Sequence, residues 1–596
     1  MFAALSEDID GAMAASSSAA DGAPIEYGLD FGVDFSLVTR DNFTAAADRC
    51  EALLRTCAFV SIDCEMTGIK GESTERPALG DLTKQRYERC AKVASKFSLM
   101  QVGVCPFHPD GNGGFTASPF TFYVLPDVKT ASGPIVMFAD TAAFHAENDF
   151  DFNAWLKKGV AFLSEAAFEA ALARATAEPE PREPRDRVVI TNENDKTFFA
   201  TSIAELRAWY DGDAAEEFIM PDCNAFLRRA FYEELEASFE EAVVESRMIA
   251  PPDGGKKTRR MVVMRLDEAA KAERAAAKQA TRVAALEERA GFLRIWRALD
   301  VCSKPLIGHN CLYDLLFMFH AFEGPLPPTL PEFKAALTKR LPEVWDTKQL
   351  GLEAGCSDTS LANLCTDLKA RQGTPPVSLA VGFERYSTQQ MEHEAGYDAY
   401  LTGICFAAFG AMDARPPSCK GKLHLGQSVF SLTLNNLEAD APAEPAVTVL
   451  HFEVDGSVEW VRNSDVLQAL NPLQRPMRMR WLNNEYGAFI TLLPPPHVDA
   501  AAGAVPRSPP PPIDLSVIRA LVAPLGGTVF TLDEYVAAEE KRMEEEEKEE
   551  EAEADEPAAG NKRRREEDAV PPPAKRSWSI SETFTTLWKQ LSRSES

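Results

Sequence analysis

Residues 59–62, Phe-Val-Ser-Ile, are an apolar run that ends in Asp63-Cys64-Glu65, so one strand delivers two carboxylates at positions i and i+2. Side chains alternate along a strand, and this spacing turns both acids to the same face at its end. Further apolar runs at 97–104 and 120–124 alternate with helical patterns, an order that implies an α/β fold with a mixed sheet. At 596 residues the chain is too long for one core, and several domains are expected.

Two more acidic segments follow in the sequence. Gly308-His309-Asn310 leads to Asp314, and His393-Glu394-Ala395-Gly396-Tyr397-Asp398 lies downstream. Each segment alone is weak, because an acid on a strand or helix is more often a solvated group or a cap. The ordered triple supplies four acids and a histidine, the donor set of a metal-dependent site. Carboxylate oxygens suit Mg²⁺, a hard cation that keeps waters and substrate phosphates. Two cations roughly 3.5–4 Å apart can activate a water and stabilise the leaving oxygen of a phosphodiester. Asp63, Glu65, Asp314 and Asp398 are assigned to two Mg²⁺, with Asp63 as the bridge. His393, five residues before Asp398, takes the role of general base.

These segments resemble the DEDD exonucleases, in the branch with a histidine in the third motif; the tyrosine branch would carry Tyr where Glu394 stands. The resemblance narrows to the deadenylase family of poly(A)-specific ribonucleases. It rests on 59–65, Arg86-Tyr87, 122–126, 148–152, 306–310, 325–328, Asp346-Thr347-Lys348 and 393–400. It covers about 42–410 and, more faintly, the stretch to about 540. The family usually has an aromatic where Met66 stands. The resemblance implies a ribonuclease H-like DEDD core and a Mg²⁺-dependent 3′-to-5′ exoribonuclease that degrades single-stranded poly(A) and releases 5′-AMP. It also implies a homodimer that works in nucleus and cytoplasm.

Residues 1–40 are Ala/Ser/Gly/Asp-rich and read as a disordered tail, and the nuclease is expected in two parts, 41–164 and 286–420. Between them, 165–285 reads as a small α+β insertion with a helix at 225–239, a strand at 261–264 and a long Ala/Glu/Arg helix at 267–290. The resemblance places a nucleic-acid-binding domain with an Arg-x-x-x-His signature here. No histidine occurs between His145 and His309, so RNA contact would rest on Arg228, Arg229 and the basic group Lys256, Lys257, Arg259 and Arg260. The alternative is a spacer or dimerising module with a solvated basic loop.

Residues 440–540 read as strand, helix, two strands, helix, strand, the order of an RNA recognition motif. Trp481 ends the second strand, where the resemblance places a tryptophan that stacks on the 5′ cap; the plainer reading is a half-buried sheet aromatic. The tail, 541–596, holds Glu-rich runs, two basic clusters at 562–565 and 575–576 that read as a nuclear address, and an amphipathic segment at 577–591.

Lys and Arg number 62 against 91 Asp and Glu, a net charge of −29, so charge does not recruit RNA globally. Local cations, such as Lys348 beside Asp346, must face phosphate instead. No stretch approaches the roughly 18 apolar residues that span a bilayer. Three other functions are weighed: 3′-end trimming of small noncoding RNA, DNA exonuclease activity, and a catalytically inactive RNA-binding scaffold. All five active-site positions are filled, which disfavours the scaffold.

Overall fold

The computed structural model describes residues 34–71, 79–129, 133–177, 187–212, 216–239, 242–250, 257–388, 390–435, 441–442, 448–454, 461–475, 477–482, 487–492 and 514–555. Residues 1–33 of the expected tail, both basic clusters and the segment 577–591 lie outside the described residues, whereas 34–40, expected to be disordered, supply a strand because Leu37 and Val38 pair with Thr121 and Phe122.

The first part of the chain contributes β1 (Leu37–Val38), β2 (Phe59–Met66), β3 (Leu99–Pro109), β4 (Phe115–Ala117), β5 (Phe120–Pro126) and β6 (Val160–Phe162). The insertion forms β7 (Glu217–Ile219), β8 (Ala242–Ile249) and β9 (Thr258–Arg265), after which β10 (Leu306–Gly308), β11 (Val344–Asp346) and β12 (Val377–Leu379) return to the first sheet. That sheet is mixed and runs β1-β5-β3-β2-β10-β11, with β6 beside β5, β4 beside β3 and β12 beside β4. β3 is antiparallel to β2 and β5, whereas β10 is parallel to β2 and to β11. β2 and β3 are buried on both faces, which is why they read as nearly unbroken apolar runs instead of alternating ones.

One face of the sheet is closed by the helix Ala395–Ala411, nearly every residue of which is buried. Its approach depends on glycine. A Cβ on Gly103 would lie 2.0 Å from the Ala395 carbonyl oxygen, and one on Gly396 would lie 2.2 Å from Thr121 Oγ1. Gly103 is the register partner of Asp63, so this close contact seats the segment at 393–398 directly over the strand pair β2–β3. Ser61 Oγ then donates to the Ala399 carbonyl at 2.6 Å. Phe59 stacks on Phe107 at 4.7 Å and meets Phe406 edge-on at 5.0 Å, joining sheet and helix in one core.

In the insertion the strands are ordered β7-β9-β8 and antiparallel, and Leu206, Leu227, Phe231 and Val263 form its core. The helix at 225–239 ends at Ser238. The helix Glu193–Tyr210 and the strands β7 and β8 have no clear pattern in the sequence. The long return helix spans Glu268–Ala290, capped by Asp267, whose side chain accepts from Ala270 N at 2.7 Å.

A small sheet of β13 (Lys422–His424), β14 (Phe430–Thr433) and β15 (Ala441–Pro442) follows the nuclease strands and was not legible in the sequence. Beyond it, β16 (Thr448–Val454), β17 (Met477–Trp481), β18 (Gly487–Leu492) and β19 (Gly527–Thr531) are ordered β17-β18-β16-β19. Phe452, Val466, Leu470, Ile518 and Val522 pack this sheet against the helices Asn463–Leu470 and Leu515–Val522. The first of these helices starts at Asn463 with Arg462 as its cap, and Asp465 reaches back to the Arg462 N–H at 3.2 Å. A separate unit begins at Phe530 and holds the acidic helix Leu532–Asp555, along which Arg542 pairs with Glu539 at 2.6 Å. Among the described residues no helix is long and apolar enough to cross a membrane.

Candidate active site

The acids converge because of strand geometry. Asp63 and Glu65 leave β2 on one face, β10 lies parallel beside β2, and the turn after it starts the helix Leu312–Phe322 with Asp314 in its first turn. Asn310 in that turn has φ +55°, a left-handed conformation that asparagine tolerates. Asp398 comes from the first turn of the covering helix. Ligand atoms of Glu65, His393 and Asp398 all lie within 4.8 Å of one another, close enough to share a cation.

The charges of this cluster are poorly compensated by protein. Asp63 accepts no hydrogen bond from any described residue, Asp398 accepts from the His393 N–H at 3.2 Å, and Asp314 accepts from its own and the Cys64 backbone N–H and from the Cys64 thiol. Burial pushes all four carboxyls above their usual range, Asp314 and Asp398 to about 7. Repulsion from the other acids adds to the shift at Asp63 and Glu65. Asp346 makes the contrast plain. It is just as buried, but its oxygens accept from the backbone N–H groups of Asn310 (2.9 Å), Lys348 (2.9 Å), Gln349 (3.4 Å) and His424 (2.9 Å). Asp346 therefore caps a helix and ties three segments together, whereas the other four acids have oxygen lone pairs left for cations. Carboxylates with that deficit fit hard divalent ions.

A second layer holds the third motif. Glu394, only 8% exposed, accepts from Arg385 Nη1 at 2.9 Å and Nη2 at 2.7 Å, from Thr121 Oγ1 at 3.1 Å and from the Tyr386 hydroxyl. The Ala395 N–H donates to Gln101 Oε1 at 3.2 Å, and the Gly396 N–H donates to Thr121 Oγ1 at 2.9 Å. These bonds fix His393, which has φ +66° and is exposed at the mouth. A histidine in the left-handed region costs of order 1–3 kcal/mol, and it persists only where its surroundings over-determine it.

Two neighbours were missed in the sequence. Phe144, 42% exposed, meets the His393 ring edge-on at 4.9 Å, and His145, 2% exposed, faces Glu65. Both sit on the helix Ala139–Glu147, which no apolar periodicity marks, and only tertiary packing brings it to β2. Burial holds His145 below the usual imidazole value.

The remaining sequence candidates lie elsewhere. Lys348 Nζ donates to the Thr359 carbonyl at 3.3 Å and lines a cleft of about 760 Å³ with His424, Arg478, Arg480 and Trp481. Trp481 is half-buried on the edge strand β17, edge-on to Phe452 at 6.2 Å. In the insertion, Arg228 Nη2 donates to the carbonyls of Cys223 and Arg259, both at 3.2 Å, and Arg229 pairs with Glu233 at 2.9 Å. His309 bonds Thr347 Oγ1 at 2.9 Å, and burial lowers its pKa to about 3, so it braces the second motif as a neutral ring.

A family model described as CAF1 family ribonuclease matches residues 38–406, from β1 through the helix that carries Asp398. The chain belongs to the CAF1 ribonuclease family. Within the similarity, a human protein named poly(A)-specific ribonuclease PARN is 29% identical over 503 residues, covering 78% of this chain and 77% of its own. A silkworm (Bombyx mori) protein named pre-piRNA 3′-exonuclease trimmer is 25% identical over 391 residues, covering 63% and 70%. A solved structure titled as S. pombe Pop2p in Mg²⁺- and Mn²⁺-bound form covers 65% of this chain and 98% of its own, at 14% identity and a TM-score of 0.33. The matched segment contains most of the mixed sheet, and the four acids and His393 lie within it.

Proposed function

We propose that this protein is a Mg²⁺-dependent deadenylase, a 3′-to-5′ exoribonuclease that shortens poly(A) tails of RNA and releases 5′-AMP. One observation carries the reading: four carboxylates cluster closely enough in a CAF1-family core to repel one another, and Glu65 and Asp398 lie within 4.8 Å of an exposed histidine's ligand atom. Two Mg²⁺, when bound, supply the positive charge that offsets the phosphate and the departing oxygen. Asp63, Glu65, Asp314 and Asp398 would hold them. His393 accepts the proton of the attacking water, worth about 10²–10⁴-fold in rate. Its ring lies within 4.8 Å of ligand atoms of Glu65 and Asp398, and the Glu394 network holds the segment that carries it. The exposed face of Phe144 offers the terminal base a stacking surface, an interaction of about 1–3 kcal/mol per base.

The four-stranded module is read as an RNA-recognition-type domain and the insertion as a small nucleic-acid-binding domain. Lys348, Arg228 and Arg229 are proposed RNA contacts, and Trp481 a platform for the 5′ cap, with Arg478 and Arg480 beside it for the cap phosphates. A homodimer, residence in nucleus and cytoplasm, and nuclear entry through the basic clusters complete the proposal. Similarity to the silkworm trimmer favours one second reading, 3′-end trimming of small noncoding RNA.

The test is a set of 5′-labelled RNAs that differ only in an A, U, C or G tail, incubated with and without Mg²⁺. A one-nucleotide ladder confined to the A tail, and only with the cation, is expected. Equal ladders on every tail would remove the adenylate preference, and no product on any would restore the scaffold.

A further inference from the structure

His145 has a polar atom with no partner. Its Nε2 lies 3.1 Å from the Met66 carbonyl oxygen, which can only accept, so Nε2 carries the proton and Nδ1 of the neutral ring is an acceptor. Nδ1 is buried without a hydrogen bond from any described residue, and the group it faces is Glu65 Oε2 at 3.8 Å. Two acceptors that face each other repel, and an orphaned buried acceptor costs about 1–3 kcal/mol. The ring cannot turn away, because Phe150 packs on it at 5.3 Å, Phe144 adjoins it at 5.5 Å and the Met66 bond anchors the other nitrogen.

The 3.8 Å gap is too long for a direct bond, so the two acceptors need a donor between them. We infer that His145 is a positioning residue for the cation site: Nδ1 accepts a hydrogen bond from a water of the cation's hydration shell, and this link fixes the Glu65 carboxylate. The inference rests on the proposed metal-dependent reading. It gives His145 a part that none of the three acidic motifs contains. Partners in this outer position typically change cation affinity by about 10–100-fold.

The two nitrogens can be tested separately. In His145→Gln the amide reaches the position of Nε2 and keeps the Met66 bond, but leaves no acceptor at Nδ1. In His145→Asn the shorter side chain puts Oδ1 where Nδ1 was and gives up the Met66 bond. Mn²⁺ and Mg²⁺ binding to the full chain, without RNA, would be measured by calorimetry, with thermal melting as the check on folding and His145→Leu as a second loss variant.

The expected result is cation affinity about 10–100-fold weaker for Gln and Leu, and within about threefold of wild type for Asn. Turnover of the Gln variant should recover as the cation is raised. Affinity equal to wild type in Gln and Leu, or an Asn variant as weak as they are, would overturn the inference and leave His145 as packing. A wild-type protein that binds no divalent cation would overturn the functional reading itself.

Discussion

Glu394→Gln is a severe perturbation for an isosteric change. The native carboxylate, 8% exposed, receives both Arg385 Nη groups, Thr121 Oγ1 and the Tyr386 hydroxyl. The amide leaves Arg385 without a counter-charge and turns an NH₂ toward groups that are themselves donors. Removing one partner of a buried pair costs about 3–5 kcal/mol, and Arg385, 24% exposed, belongs at the low end, about 3 kcal/mol. For a unit the size of this nuclease, that loss lowers the melting temperature by about 6–10 °C. The loop bearing His393 loses its anchor, and a shift near 1 Å in a catalytic group costs about 10²-fold in rate. Single-turnover assays at saturating Mg²⁺, alongside thermal melts, read both effects. In Arg385→Met/Glu394→Gln the stranded charge is gone, so part of the stability should return while the rate stays low. Unchanged melting would refute the energetic argument. A lower melting temperature with an unchanged rate would separate His393 from the clamp.

His393→Ala should slow hydrolysis by about 10²–10⁴-fold while cation binding, followed by calorimetry, persists; a rate near wild type would leave His393 as a wall of the mouth. Gly103→Ala forces a Cβ to within 2.0 Å of a backbone oxygen, so the covering helix must lift from β3, and both soluble yield and activity should collapse; a folded, active variant would contradict that packing. Asp314 and Asp398 are pushed up to about 7, so the folded metal-free protein retains protons that the unfolded chain releases above about 4. The sign follows: raised carboxyl pKa values favour the folded state at low pH, and that contribution is lost as pH rises from about 4 through 7. Mg²⁺ neutralises the ionised cluster, so the gap in melting temperature between Mg²⁺-loaded and metal-free protein should widen from pH 5 to 8, and a constant gap would count against the buried four-acid site.

What the sequence reveals of this site is local. An apolar strand that ends in acids at i and i+2 is visible in eight residues, because strand period alone places both carboxylates. The helix with Asp398 shows itself by its unbroken apolar composition. Phe144 and His145 had no such signal. They lie on a short Ala-rich helix whose position is set by contacts with Phe150 nearby and with Met66 of β2, 79 residues away, and neither contact is visible to periodicity. Asp346 resembles a catalytic acid in the sequence, and only its four backbone donors reveal a cap. In the insertion, β8 carries Glu245, Ser246 and Arg247 in a row, and Arg247 and Arg274 both clasp Glu245, so ion pairs add to the contacts that Ala242 and Val244 make with the core. The small sheet of β13–β15 has strands of two to four residues, too short for a pattern to emerge.

The central claim is that a water, activated at the four-acid site, attacks the terminal phosphodiester. Its phosphorus–oxygen bond to the upstream 3′ carbon's oxygen breaks, and 5′-AMP leaves. Mass analysis of the mononucleotide released from A-tailed RNA in ¹⁸O-water tests this most directly. The expected product is 5′-AMP carrying one solvent oxygen on its phosphate, formed only with Mg²⁺ and not by Asp63→Ala protein. A 2′,3′-cyclic or 3′-phosphate product, or 5′-AMP formed equally without cation, would mean that the histidine acts through the ribose hydroxyl and that the carboxylates serve another purpose.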